Sequence, residues 1–466
     1  MKLQSVQIKN YRSIEDISFE INPLDDSTYT YGLIGVNEAG KSSILKALAL
    51  KEKGLIKPAQ KDFKNKTIPV EITYFYELEE NDINDCKGIL SGEFPPMDNI
   101  VLNRIALRMS YNYINPDDQT INIEILDFEH AEKNTIQEKL KQHILNHSHK
   151  VIFWTAEDRF LISQPIDLAE FSSSPESVSI PLLNCFKLTG ITNIQESITS
   201  LANDSTEVEQ LQTELGEKVT EHIKTVWPSH PIKITFLIDG GLINFHIKDV
   251  GSRGKAKTAD QRSDGFKQFV SFLLTVSAQD RNEELSNAVI LLDEPETHLH
   301  PQAQEYLLNE LIKITKNKRN NIVFFATHSN YMIDKSDLSR NYRIEKANDE
   351  NTKNDQLDKK ISTYASVSYE VFDIPSTDYH NELYSRVHEI YQDADVGDEK
   401  RAGILNFDTN FLNIEKGLKK DKPWKGNQNH ATLSTYIRNC IHHPDNGNKY
   451  TNEELRKSIS LLISFI

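Results

Sequence analysis

Apolar and polar side chains alternate from Met1 to Ile8, which predicts a strand at the start of the chain. Tyr29 to Ile34 predicts another, and Ser43 to Leu50 an amphipathic helix directly after it. Two unbroken apolar runs, Ala288 to Leu292 and Ile322 to Ala326, suit strands buried on both faces of a parallel sheet. Between these blocks, Val101 to Tyr113 and Gln119 to Phe128 predict a hairpin around Asn115-Pro116-Asp117-Asp118. Val151 to Trp154 reads as a strand. Ile232 to Ile238 and Leu242 to Val250 read as a second hairpin turning at Asp239-Gly240-Gly241. Val208, Leu211, Leu215, Val219 and Ile223 recur at helical spacing, as do Leu383, Val387 and Ile390. Pro165 to Ile180, rich in Ser and Pro, reads as a loop, and the polar Ala347 to Lys360 as a linker.

The chain has 466 residues, enough for two or three domains. With 38% hydrophobic and 26% charged residues it reads as a globular, soluble protein. No run of ~20 apolar residues stands in it, so neither a membrane span nor a membrane partner is expected. Cys86, Cys185 and Cys440 lie far apart, without metal-ligand spacing, which fits a reducing cytoplasm. A net charge of −16 argues against a protein that grips DNA over its whole surface. Two local basic clusters remain, Lys51, Lys53, Lys57, Lys61, Lys64 and Lys66, then Lys416, Lys419, Lys420, Lys422 and Lys425. Each reads either as a solvated face or as a contact for nucleic acid or an acidic partner.

The chemistry begins at Gly35-Val36-Asn37-Glu38-Ala39-Gly40-Lys41-Ser42, which matches G-x-x-x-x-G-K-[ST] between a predicted strand and a predicted helix. The glycines let backbone N–H groups turn onto phosphates, and the helix start adds partial positive charge. Gly35, Asn37, Glu38, Ala39, Gly40, Lys41, Ser42 and Ser43 are therefore the expected nucleotide-binding residues. Lys41 would neutralise the β- and γ-phosphates, and Ser42 would ligate Mg²⁺.

The apolar run at 288–292 ends in Asp293-Glu294-Pro295. Ligands bind at the carboxyl ends of strands in such sheets. Asp293 is placed to hold Mg²⁺, and Glu294 to orient or deprotonate an attacking water. The run at 322–326 ends in Thr327-His328-Ser329, where His328 can hydrogen-bond a γ-phosphate and sense its loss. Ser263-Asp264-Gly265 precedes another helical segment. It reads equally as an anion site at a helix start or as an ordinary cap.

The order of these elements resembles the ABC-type ATPase heads of the RecF, SMC and OLD group. The turn Asn10-Tyr11-Arg12-Ser13-Ile14 is similar to one that follows the first strand in that group, and Glu296-Thr297-His298-Leu299-His300-Pro301 is similar to the segment after the acids in OLD-like and Septu-type bacterial defence ATPases. The resemblance implies an α/β fold: an ABC-ATPase head, with a mixed sheet flanked by helices, an α+β insertion and a mainly helical C-terminal domain. It divides the chain into a head half at 1–75, an inserted lid or dimerisation region at 76–228, a second head half at 229–345, and a linker with a helical effector or docking domain at 346–466. It also implies ATP and Mg²⁺ as cofactors, and a homodimer or higher even oligomer. Ser263 and Gly265 of one head would then complete the site that Lys41, Asp293, Glu294 and His328 build in the other. The group's Q-loop glutamine is missing from the segment Glu71 to Glu77 where it would fall.

In the C-terminal region, Asp393-Ala394-Asp395 follows a helical pattern, which argues against a TOPRIM nuclease. Arg438-Asn439-Cys440-Ile441-His442-His443 resembles the Arg–Asn–His motif of HEPN ribonucleases. That resemblance implies an RNase role for Arg438, Asn439 and His443; a helix-end cap at His443 in a docking domain is the simpler account. Three functions follow. The first is a regulatory ATPase of prokaryotic anti-phage defence that controls a partner nuclease. The second is an ATP-gated RNase toxin, and the third a RecF-like DNA-repair ATPase.

Overall fold

The structure, a computed structural model, describes the chain apart from residues 92–101, 128–131, 163–164, 202–204, 227–231, 251–255, 259–260, 262–266, 269, 273, 276–285, 298, 317–319, 348, 358–362, 394–402, 414–422, 426–427 and 430. It divides into two compact units, Met1–Lys359 and Lys360–Ile466. Among the described residues no helix is long and apolar enough to cross a membrane.

The larger unit is an α/β structure built on two main sheets. One is antiparallel: β1 (Lys2–Tyr11) lies between β2 (Ile14–Glu20) and β4 (Val70–Glu77), followed by β5 (Arg104–Tyr111) and β6 (Gln119–Ile125). The other is mixed. Its order is β15 (Thr352–Gln356), β14 (Asn341–Lys346), β3 (Thr30–Ile34), β13 (Ile322–Thr327), β12 (Ala288–Asp293) and β7 (Lys150–Thr155). All its strand pairs are parallel except that of β15 with β14. Every residue of β3, β12 and β13 is buried, as the unbroken apolar runs require. Helix α1 (Lys41–Ala49) and the helix Pro301–Lys316 pack on this sheet.

A smaller sheet pairs β9 (Ile232–Asp239) with β10 (Leu242–Asp249), which also carries β8 (Ile166–Asp167) and β11 (Lys257–Thr258). The helix Ser205–Val226 buries Leu211, Leu215, Val219 and Ile223 in the same core, and the Thr220 hydroxyl donates to the Ile234 carbonyl at 3.0 Å. The unit Lys360–Ile466 is mainly helical. Its helices Tyr364–Phe372, Thr377–Asp393, Leu433–His442 and Asn452–Ile463 enclose Leu383, Val387, Phe407, Ile437 and Ile459.

Three local expectations are corrected. Val151 to Trp154 does not belong to an insertion: it lies in β7, the edge strand of the mixed sheet, in register with Val289 to Leu292. Its partners stand far along the chain, so local pattern could not place it. The polar linker holds β15, whose Thr352 to Gln356 pair with Lys346 back to Tyr342. An edge strand with one buried residue among five carries little apolar signal. The loop at 165–180 contains the helix Leu168–Ser173, where the Asp167 carboxylate accepts from the N–H groups of Ala169 (2.8 Å) and Glu170 (2.9 Å), and the helix Pro175–Val178 with Pro at its start.

Arg340 ties β14 to β3. It is 2% exposed, and its guanidinium donates to Asp334 and Asp26 at 3.0 Å each and to the Thr28 hydroxyl at 2.9 Å. The Thr28 hydroxyl and the Arg340 charge hold the Asp26 carboxyl below its usual 3.8, although desolvation works against them. Arg340→Ala should lower unfolding free energy by about 2–3 kcal/mol in denaturant titration, less than a fully buried pair because Asp26 is partly exposed. A group with a depressed folded pKa stabilises above its unfolded value and loses that contribution as pH falls through the folded one. The difference between Arg340→Ala and the unaltered chain should therefore shrink as pH drops below 3.8.

Candidate nucleotide site

β3 delivers the chain into the loop at 35–40, and α1 begins at Lys41. Two glycines make this path sterically possible. Gly35 has φ +152, and a Cβ there would collide with the Ile344 carbonyl oxygen of β14. Gly40 has φ +113, and its Cβ would fall 2.5 Å from Thr352 Oγ1 of β15. No side chain caps α1, so its first N–H groups are available to an anion, where the helix dipole adds attraction.

The loop lines a cleft of about 690 Å³ whose walls include Asn37, Glu38, Ala39, Gly40, Lys41, Ser42, Ser43, Glu294 and His328. Lys41 Nζ donates to the carbonyls of Gly35 at 2.8 Å and Val36 at 3.0 Å, and lies 3.3 Å from His328 Nδ1. Burial pulls its pKa down to about 8, against the opposing pull of Glu294, Asp293 and Glu296. The Ser42 hydroxyl donates to Asp293 Oδ1 at 2.8 Å. Burial raises the Asp293 pKa, and the Ser42 hydrogen bond opposes that rise. Glu294 Oε1 lies 2.9 Å from His328 Nε2, and this contact holds the Glu294 pKa below its usual value. Glu294 also sits in the left-handed region at φ +51, a conformation that costs a non-glycine residue of order 1 kcal/mol or more. That turn directs its side chain into the cleft just past the end of β12.

Sheet order explains why these groups meet. β13 lies between β3 and β12. The residue after β13, His328, thus emerges between the loop after β3 and the acids after β12. Gly35 to Ser43, Asp293, Glu294 and His328 are brought together at this cleft. Ser263 and Gly265 lie outside the described residues, as does His298.

Four residues of the cleft or its support carried no signal that assigned them there. Arg12, Ser13 and Lys346 line the cleft. Arg12 has φ +53, its Nε donates to Asp62 at 2.7 Å, and the neighbouring Asn10 amide donates to the Asn65 and Ile68 carbonyls at 2.8 and 2.7 Å. Thr352 is the brace: its N–H donates to the Ser13 carbonyl at 2.9 Å, and its hydroxyl meets Ser13 Oγ at 2.8 Å and the Ala39 carbonyl at 3.2 Å. The turn around Asn10 to Ser13 was visible as a motif; its place beside the phosphate loop was not.

The two basic clusters fare differently. Lys51 turns inward, its side chain 7% exposed and over the Tyr74 ring, whereas Lys53, Lys57, Lys61, Lys64 and Lys66 are exposed. Lys416, Lys419, Lys420 and Lys422 lie outside the described residues, as does the side chain of Lys425. In the helical unit, Arg438 Nη1 donates to Asn439 Oδ1 at 2.9 Å, and His443 terminates the helix Leu433–His442 with its N–H on the Asn439 carbonyl at 2.9 Å.

A glycine-shaped loop, a lysine, a hydroxyl–carboxylate pair and a glutamate–histidine pair at the carboxyl ends of parallel strands are the groups that a P-loop nucleotide site requires. The sequence profile of the AAA_15 family, described as AAA ATPase domain, matches residues 1–333. The chain belongs to that family and is an ATPase. Over 123 residues it is 26% identical to the uncharacterized protein MJECL43 of Methanocaldococcus jannaschii, a match covering 25% of this chain. That match spans 31% of the relative's length, less than a third. Among solved structures, an Smc head bound to the C-winged helix domain of ScpA is 13% identical with a TM-score of 0.44, covering 77% of this chain and 98% of that one. The Smc head with an extended coiled coil, bound to the C-terminal domain of ScpA from Pyrococcus furiosus, is 13% identical with a TM-score of 0.41, covering 77% and 96%. The SMC head of Thermotoga maritima is 12% identical with a TM-score of 0.37, covering 77% and 100%. These likenesses are distant.

Gly35→Ala should cost of order 1–3 kcal/mol of backbone strain and displace the loop from β14. Titration with a fluorescent ATP analogue should show affinity reduced roughly tenfold or more. Unchanged affinity would mean that this loop does not hold the nucleotide.

Proposed function

We propose that the chain is an ATP-driven switch: a regulatory ATPase whose heads pair around nucleotide and control a partner nuclease in prokaryotic anti-phage defence. The observation that carries the switch is the closed set of contacts from Lys41 through His328 to Glu294. Each of these side chains is engaged by another protein group at the place where a γ-phosphate would bind. Arrival of ATP gives Lys41 and His328 a stronger, anionic partner. His328 then releases Glu294, whose side chain lines the cleft and is placed to orient and deprotonate the attacking water.

Ser42 and Asp293 fit a magnesium ion, being two hard oxygen donors already 2.8 Å apart. When bound there, Mg²⁺ would neutralise charge on the β- and γ-phosphate oxygens. The chain's own groups do the remainder. Lys41 and the start of α1 bind the phosphates, while Glu294 and His328 handle the proton and the γ-phosphate. Hydrolysis removes the γ-phosphate and lets the Lys41–His328–Glu294 contacts re-form. Nucleotide-linked pairing rests on the resemblance that assigns Ser263 and Gly265 to the opposite head. The defence role rests on the resemblance of Glu296 to Pro301 to defence ATPases. A second reading, an RNase in the helical unit, draws support from the Arg438–Asn439 hydrogen bond one turn before His443.

Glu294→Gln should lower kcat roughly 10²- to 10⁴-fold while leaving ATP binding intact. Light scattering should then show the mass of the Glu294→Gln chain doubling with ATP. An unchanged mass in a chain that is monomeric without nucleotide would contradict pairing. In cells, Lys41→Ala should abolish any protection against phage conferred together with the neighbouring gene. Protection that survives it would sink the switch. RNA cleavage lost in Arg438→Ala and His443→Ala, with ATPase activity retained, would favour the second reading.

A further inference from the structure

We propose that Glu296 is a positioning residue for ATP hydrolysis: its buried carboxyl group locks the end of β13 so that the His328 ring faces both Glu294 and Lys41. The proposal rests on ATP hydrolysis at the site described above and adds a residue to which that reading gives no part.

Glu296 follows Glu294 by two positions and turns the opposite way. Glu294 faces the cleft; Glu296 is 4% exposed, inside the protein. Its Oε1 accepts the Thr327 hydroxyl and, at 3.3 Å, the His328 backbone N–H. Thr327 Oγ1 in turn accepts the Ser329 N–H at 2.9 Å. A second tie runs parallel: the Ser329 hydroxyl donates to Gln304 Oε1, and Gln304 Nε2 donates to the Leu299 carbonyl at 2.8 Å. The segment after β12 and the segment after β13 are thus stitched together at three consecutive residues, Thr327, His328 and Ser329.

A stabilising ion pair does not account for this carboxyl. No cation pairs with it among the described residues, and Oε2 has no hydrogen-bond partner there. Burying such a group is costly, and its place is explained by what Oε1 holds. His328 uses both ring nitrogens, Nε2 at 2.9 Å from Glu294 and Nδ1 at 3.3 Å from Lys41. A backbone shift of about 1 Å at His328 away from either partner would take that contact out of hydrogen-bond range. Positioning of this kind governs kcat, whereas affinity comes mainly from the loop at 35–42.

The test is steady-state ATP hydrolysis by the full chain, with affinity measured separately using a fluorescent ATP analogue. Glu296→Ala should lower kcat roughly 10- to 100-fold with KM and analogue affinity within about threefold. Glu296→Gln keeps an acceptor for Thr327 and His328 and should restore kcat to within about fivefold of the unaltered chain. In His328→Ala, adding Glu296→Ala should cause no further loss, since the two act as a unit. If Glu296→Ala does not fold, Thr327→Val, which removes the hydroxyl's ties to Glu296 and to the Ser329 N–H but keeps the buried carboxyl, should give the same kcat-selective loss. Full additivity with His328→Ala, a rise in KM at constant kcat, or Glu296→Gln as slow as Glu296→Ala would overturn the proposal. Absence of hydrolysis in the unaltered chain would instead refute the ATPase site itself.

Discussion

Lys41 carries the constraint on which the site depends. Its ammonium is buried at the start of α1, held by two carbonyls of its own loop and faced by the acids at the end of β12. A charge in such a place loses solvation, and only convergent partners make it tolerable. The groups that converge on it stand at the ends of three strands, β3, β12 and β13, so the full set meets only when the mixed sheet is assembled. Fold and site are in this sense one structure.

The same sheet shows how distance along the chain becomes adjacency. β13 inserts between the strand that feeds the phosphate loop and the strand that ends in Asp293. His328 therefore stands within reach of Lys41 on one side and Glu294 on the other. The left-handed turn at Glu294 and the buried carboxyl of Glu296 let acids two residues apart serve opposite faces: one works in the cleft, the other beneath it. β15 adds a brace from the far side. Thr352 closes against Gly40 and Ser13, so the last strand of the sheet bears on the loop.

Much of this was legible in the sequence where the signal was local. Gly35 to Ser42 announces itself because only glycine fits the two crowded turns and only a lysine and a hydroxyl follow. Asp293, Glu294 and His328 were readable because each follows an unbroken apolar run, which suits a strand buried on both faces. What was not legible depended on distant partners or on polar edge positions. Val151 to Trp154 was recognisable as a strand, but its neighbour β12 lies far downstream. Thr352 sits in a stretch so polar that it read as a linker, since an edge strand needs little apolar surface. Arg12 reaches the cleft through packing of the antiparallel sheet's turn against the mixed sheet's loop, and Lys346 because β14 pairs with β3. Glu296 was noticed as part of a motif, but its work is a hydrogen bond to a backbone N–H, which no pattern of residue types reveals.

The central claim is that nucleotide works by replacing protein contacts at Lys41 and His328. A crystal structure of the Glu294→Ala chain with a non-hydrolysable ATP analogue and Mg²⁺ tests it most directly. The account predicts Lys41 Nζ withdrawn from the Gly35 and Val36 carbonyls to the β- and γ-phosphates, His328 Nε2 on a γ-phosphate oxygen, and Ser42 and Asp293 around the metal. A nucleotide bound elsewhere, or bound here with Lys41 still on those carbonyls and His328 away from the γ-phosphate, would contradict it.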